Sequence, residues 1–396
     1  MNNIVYKKLW GGFMIRNLEV VLDVNNERNE IQVESEINFL GNIKEVKFIL
    51  NKGLIVNKIT DDKGEEIAFY EDLNVNVMFI QSAKRVTLEI PKGTNSIKMV
   101  YSGEVSGWHN KISDNYLALN FYSAWYPIFE DYDMEITKKV TVKNISDFAV
   151  VKGIKFENHW QYESSDFDCN ILAVKDWNII SIKNVTPKLN IYFKNSKIEE
   201  VKCIANSFRN IITYFTELLD VDSNINGTFD IVIPNSDEGG YCREGLIVLG
   251  GLSSNRIDAD AFLAHECAHI WSTGADVNSW EDWLNETFAE VLALLFLKKE
   301  YGVEEYMNKV DEIREIAEKS PQIKSENGER PDGVHFKGTY LIHRLSEIFG
   351  EDKVIDIAKL FIKLQHKTTK NWLREVKLKV GEDIGNFIEE NLIESL

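Results

Sequence analysis

Between Asp258 and Ile270 the side chains of Ala261, Phe262, His265, Ala268 and His269 recur at spacings of three and four, the period of a helix with one face turned inward. Within this stretch His265-Glu266-Cys267-Ala268-His269 sets two histidines four residues apart. Residues so spaced share a helix face, about 6 Å apart along the axis. Both imidazoles can then grip a single zinc ion. Glu266, one step round, reaches the ion's bound water rather than the ion itself. That arrangement is the geometry of a metal-activated hydrolase.

Zinc held for catalysis needs a third protein ligand and one open position. A second helical pattern runs from Trp280 to Lys299 and carries Trp283-Leu284-Asn285-Glu286, with Glu286 seventeen residues after His269. A helix end, a short loop and the start of an antiparallel helix fit that gap, which makes Glu286 the expected third ligand. Glu290, four residues on, shares its face and is expected to accept a hydrogen bond from a ligand imidazole, fixing its tautomer. The histidine pattern alone arises by chance in about one chain in a hundred of this length. The acidic residue at loop-plus-helix spacing is therefore what favours zinc over two ordinary helix histidines. Cys267 lies two positions from each histidine, roughly 200° round the helix, so its thiol is expected to pack rather than ligate.

The rest of the composition narrows the class. A chain of 396 residues with 44% hydrophobic and 11% aromatic content is globular and long enough for two or three domains. Its net charge of −18 argues against nucleic acid and against an anionic membrane surface. No apolar run approaches the ~18 residues of a membrane span. The opening MNNIVYKKLW has no secretory pattern, so a cytoplasmic location is expected. Cys169, Cys203, Cys242 and Cys267 show no C-x-x-C spacing and read as reduced thiols.

From Met14 to about Asn195 the pattern is short strands. They are expected at Met14–Asp23, Glu30–Leu40, Glu45–Leu50, Ala68–Tyr70, Asn76–Ile80, Arg85–Ile90, Ser96–Tyr101, Glu135–Val142, Phe148–Lys152, Cys169–Val174 and Leu189–Phe193. Turns of Asn, Asp and Gly between them suggest an antiparallel sandwich or saddle. Beyond Asn195 helices dominate: Ile198–Leu219, the two helices already described, and five more from Glu304 to Leu392, with strands at Thr228–Ile233 and Leu246–Leu249. The expectation is a multidomain α+β chain divided into residues 1–195 and 196–396.

The helix pair resembles the gluzincin metallopeptidases, and within them the aminopeptidase N family, whose H-E-x-x-H is followed after eighteen residues by a glutamate within W-L-N-E. Sixteen residues intervene here. Three further stretches carry the likeness. Ala124-Trp125-Tyr126-Pro127-Ile128-Phe129-Glu130-Asp131 resembles A-R-x-x-F-P-C-F-D-E, which closes the family's β-saddle against the catalytic domain. Gly239-Gly240-Tyr241-Cys242-Arg243-Glu244-Gly245-Leu246-Ile247 resembles the edge-strand motif G-A-M-E-N-W-G-L-I, and His335-Phe336-Lys337-Gly338 resembles Y-E-K-G. Together they cover about Ala124 to Leu345.

The resemblance implies an N-terminal β-saddle followed by a thermolysin-like zinc peptidase domain. It also implies one zinc ion on His265, His269 and Glu286, Glu266 as general base, a peptide substrate laid along Gly239 and Gly240, and aminopeptidase activity. Two departures qualify it. The family glutamate that holds the substrate's free amine falls on Cys242, and a thiol does not supply that charge. Glu244, two residues along the strand, or Glu238 is expected to offer a carboxylate instead. The family tyrosine that steadies the oxyanion falls on His335, and thermolysin-like gluzincins use a histidine for that work. Family members usually continue into a helical C-terminal domain. Only about sixty residues follow Gly338, so a more open cleft, or one covered by another chain, is expected. An endopeptidase or oligopeptidase without amine anchoring, and a non-catalytic peptide-binding relative, stand as alternatives; an epoxide hydrolase has no feature asking for it.

Overall fold

The computed structural model describes residues 14–130, 136–183, 187–222, 225, 227–236 and 238–393. It forms two compact units, Met1–Trp177 and Asn178–Leu396. The expected division at 195/196 is corrected by strand pairing. Asn178–Ile182 pairs antiparallel with Lys188–Phe193, which in turn pairs parallel with Thr228–Ile233, so both strands belong to the second unit's sheet.

The described residues of the first unit form three sheets, one of seven strands and two of four. The alternation expected of half-buried strands is plain in Glu30–Leu40, where Ile31, Val33, Ser35, Ile37 and Phe39 turn inward and their neighbours outward. Pairing is antiparallel except where Met14–Asn25 lies parallel to Thr137–Lys143. One apolar core collects Leu18 and Val20 from the large sheet, Phe48 and Val86 from the second, and Leu119 and Ile171 from the third. The stretch expected as a strand at Asn76–Ile80 is a turn closed by a bridge between Val77 and Ile80. Trp125 and Tyr126 are fully buried, the indole donating to Cys169 O (3.0 Å) and the phenol to Phe167 O (3.2 Å). Asp131 and the first residue of the expected strand Glu135–Val142 lie outside the described residues.

The second unit carries a five-stranded sheet in the order Asn178–Ile182, Lys188–Phe193, Thr228–Ile233, Leu246–Leu249, Gly240–Arg243. Thr228–Ile233 lies between two parallel partners and is buried along nearly its whole length; its apolar residues Phe229, Ile231, Val232 and Ile233 fit that place, and buried Asp230 accepts a hydrogen bond from the Asn190 amide (3.0 Å). Gly240–Arg243 is the outer strand, paired antiparallel to Leu246–Leu249 on one side. Among the described residues eight α-helices complete the unit: α1 (Ile198–Leu219), α2 (Arg256–Ala268), α3 (Trp283–Tyr301), α4 (Val303–Ala317), α5 (Val334–Phe349), α6 (Glu351–Lys363), α7 (Thr369–Lys379) and α8 (Glu382–Asn391). In α1 the buried positions Val201, Ile204, Ala205, Phe208, Ile211, Ile212 and Phe215 follow the helical period. α3 differs, because Trp283 to Asn285, Thr287 to Ala289 and Val291 to Leu297 are all buried, so its middle is enclosed on every side. No helix among the described residues is long and apolar enough to cross a membrane.

Candidate metal centre

α2 begins where the Asn255 side chain accepts the Ile257 N–H (2.9 Å), satisfying one orphan donor of the first turn. It ends at Ala268, and His269 sits at its C-cap with right-handed helical angles. The last turn therefore keeps both imidazoles on one side. His265 Nε2 and His269 Nε2 are 3.2 Å apart. From α3, Glu286 brings Oε2 to 3.6 Å from His265 Nε2 and Oε1 to 3.9 Å from His269 Nε2. Ligands at 2.0–2.2 Å around a tetrahedral zinc are about 3.4 Å from one another, and the three separations lie close to that edge, with Glu286 meeting the two imidazoles through different oxygens.

The residues behind these donors explain their aim. His265 Nδ1 lies 2.9 Å from Glu290 Oε2, and a carboxylate only accepts, so the ring donates there and turns Nε2 to the site. His269 Nδ1 donates to Ser272 O at 3.0 Å, which likewise frees its Nε2. Ser272 is held in turn, its hydroxyl donating to Asn285 O at 2.7 Å. The Asn285 amide clamps Ala275 through two 3.0 Å bonds, to its N–H and its carbonyl. Ser272 and Asn285 thus close the short α2–α3 connection. Sequence reasoning gave neither a role, although the asparagine immediately before Glu286 was the available signal.

Electrostatics divide the group. Burial pulls the His269 pKa down to about 4, so its imidazole is neutral and has a lone pair for a metal. Burial also works against charging His265, but hydrogen bonds to Glu286 and Glu290 outweigh it and hold its pKa well above the ordinary value. Burial raises Glu286 and Glu290, and the hydrogen bonds of His265 and His335 overcome that and keep both carboxyls low. Glu266 is different. It is 4% exposed, its Oε2 has no hydrogen-bond partner, and burial pushes its carboxyl up to about 7. An unpartnered buried carboxyl poised near neutrality beside three metal-type donors is what a general base requires. The donor set and this orphaned oxygen fit a divalent ion carrying a reactive water.

Two glycines set the walls. A Cβ on Gly240 would lie 2.7 Å from Glu266 Oε1 and 2.6 Å from Phe262 Cζ, so only glycine lets the outer strand pass this close to the carboxylate. Gly338 lies in α5 where a Cβ would strike Thr287 Oγ1 and crowd the Trp283 ring on α3. Its absence lets α5 bring His335 to Glu286 (Nδ1 to Oε2, 3.1 Å) and to Glu290 (Nε2 to Oε2, 3.2 Å). The Gly338→Ala variant is expected to lose about 1–3 kcal/mol of stability in denaturant titration, and to shift the NMR signals of His335. Wild-type stability with unmoved His335 signals would show that the contact is not tight.

The remaining expected residues fall in different places. Cys242 is half-buried and packs toward the apolar core, and Cys267 is fully buried. No disulfide forms among the four cysteines. The expectation that Glu244 shares a face with Cys242 is corrected: the strand stops at Arg243, and Glu244 is exposed in a turn completed by Gly245 at φ +65°. Glu238 is half-buried just before Gly239. A cleft of about 410 Å³ opens beside Glu266, Glu290 and His335, walled by Phe262, Ile313 and Phe336.

No family model and no curated protein matches the sequence. Solved structures do match. An M1 zinc metallopeptidase from Deinococcus radiodurans superimposes with a TM-score of 0.69 at 12% identity, covering 97% of this chain and 94% of that one. The chain has the M1 metallopeptidase fold. A mutant of the same Deinococcus protein, bound to a Tyr-Ser-Ala substrate, matches with a TM-score of 0.68, 13% identity and the same coverage. Leukotriene A4 hydrolase from Saccharomyces cerevisiae matches with a TM-score of 0.69 at 16% identity, over 96% of this chain and 66% of that chain. At these identities the M1 fold accounts for the β-rich N-terminal part and the helical part that follows it, and leaves the chemistry to the residues themselves.

Proposed function

We propose that this chain is a zinc-dependent metallopeptidase, with the ion on His265, His269 and Glu286 and with Glu266 as general base. The observation that carries the proposal is the meeting of three donors at 3.2–3.9 Å beside the unpartnered Oε2 of Glu266. When bound, zinc supplies a Lewis acid and a water acidic enough to lose its proton near neutral pH. Glu266 takes that proton on Oε2 and returns it to the leaving amine. An extended peptide is placed along the outer strand Gly240–Arg243, running past Gly239 and Gly240, whose lack of side chains lets its backbone approach Glu266. His335, 3.1 Å from Glu286, is the group we assign to hydrogen bond a substrate oxyanion.

The reading best supported is cleavage that does not depend on a free N-terminus. The side chain at the family's amine-anchoring position is Cys242, packed toward the core, and Glu244 lies exposed in the turn beyond the strand. Aminopeptidase activity, which the family resemblance and a neighbour's tripeptide complex suggest, is the second reading; half-buried Glu238 is its candidate anchor. A matched pair of peptides, one free and one acetylated at the N-terminus, separates the two. With zinc-loaded protein and Glu266→Gln as the blank, both peptides are expected to be cut at rates within about tenfold. Cleavage of the free peptide alone establishes the aminopeptidase. If neither is cut while zinc binds at one equivalent, the chain is a peptide-binding relative.

A further inference from the structure

Glu290 sits between two imidazoles. Its Oε2 lies 2.9 Å from His265 Nδ1 and 3.2 Å from His335 Nε2. The carboxylate accepts from both rings, which stack nearly parallel at 9°, with centroids 5.0 Å apart. On each ring the other nitrogen then faces the second carboxylate: His265 Nε2 is 3.6 Å, and His335 Nδ1 3.1 Å, from Glu286 Oε2. His335 thus repeats the posture of His265, one nitrogen held by Glu290 and one directed at the metal-type donor Glu286. His265, Glu286 and His335 each bring a donor atom to within 4.8 Å of the others, a spacing that could hold an ion.

We infer that His335 is a fourth metal ligand in the substrate-free protein, closing through Nδ1 the position that a peptide must open. The inference rests on the zinc reading above and adds a resting state to it. The 4.8 Å bound exceeds the about 3.4 Å edge of a tetrahedral site, so His335 closes inward as the ion binds. Four protein donors are the hallmark of closed zinc sites, whereas a catalytic site keeps one place open. The water that Glu266 deprotonates therefore enters only once an arriving peptide draws His335 off the fourth place, and the displaced ring is free to hydrogen bond.

X-ray absorption at the zinc edge, on the full chain loaded with one equivalent of zinc and no peptide, counts imidazole ligands by their outer-shell scattering. Three imidazoles are expected in the native protein and two in His335→Phe, together with a fall in zinc affinity of about tenfold or more in chelator competition. His335→Gln provides the same comparison if the phenylalanine variant does not fold. Two imidazoles in the native protein overturn the inference and leave the three-ligand peptidase site standing. Zinc uptake that is absent, or indifferent to His269→Ala, overturns both.

Discussion

Replacing Glu266 with glutamine is expected to lower peptide hydrolysis by about 10²–10⁴-fold while leaving zinc bound at one equivalent. The amide keeps the shape of the carboxyl but cannot take a proton, so kcat should fall with little change in metal content. A fall in metal content of the same size would place Glu266 among the ligands and remove it as a base. The same substitution has a second, opposite signature in the metal-free protein. Burial raises the Glu266 carboxyl from its ordinary 4.5 to about 7. A group whose folded pKa is raised in this way ionises first in the unfolded chain. Its ionisation therefore erodes stability as pH rises from about 4.5 to 7, and the loss levels off above. At 1.36 kcal/mol per pH unit the cost at pH 8 is about 3 kcal/mol, and Glu266→Gln removes it. Chelated Glu266→Gln protein should thus be more stable than chelated wild type at pH 8, and much less distinguishable from it at pH 4. A pH-independent difference in denaturation midpoint would contradict this.

The second large effect is on the metal itself. Structural zinc sites gain about 10–16 kcal/mol from their ligands together, so losing one of three is worth on the order of 4 kcal/mol, roughly a thousandfold in affinity. His269→Ala is expected to show this loss in a competition titration. His269 is the informative choice because burial already holds it neutral, so its removal takes away a ligand without breaking an ion pair. Thermal melts provide the second readout. Zinc at a hundred times its Kd stabilises the native chain by about 2.7 kcal/mol, and in His269→Ala that zinc-dependent shift should vanish. Persistence of the shift would mean that the ion sits elsewhere.

Much of the second unit could be read from residue order because local and tertiary preferences agree there. Ile198–Leu219 has a strong helical period and became α1 with those bounds, and Leu246–Leu249 is a short apolar run that remained a strand. The two metal-type helices were legible for the same reason, their ends shifting by only a few residues. What escaped depended on contacts between distant parts of the chain. Leu54–Asp61, beyond the expected strands, is an outer strand of the seven-stranded sheet whose polar, solvated face weakens its pattern. Asn178–Ile182 also lies outside the expected strands, and its pairing to Lys188–Phe193 is what places it in the second unit's sheet. Glu244 was misjudged because alternation along a strand says nothing about where that strand ends; Gly245 ends it. Nor does spacing reveal that Ser272 braces the α2–α3 connection, since its bonds with His269 and Asn285 run through backbone carbonyls and carry no pattern of residue type.

The burial of α3 on all sides has one more implication. Glu286 and Glu290 ride on a helix gripped by the surrounding apolar packing rather than by the ion they face. Folding and metallation are then separate events. Stripping the ion should silence this protein without unravelling it, and the vacated cage should accept a fresh ion with little rearrangement, unlike a zinc finger, whose architecture collapses with its metal.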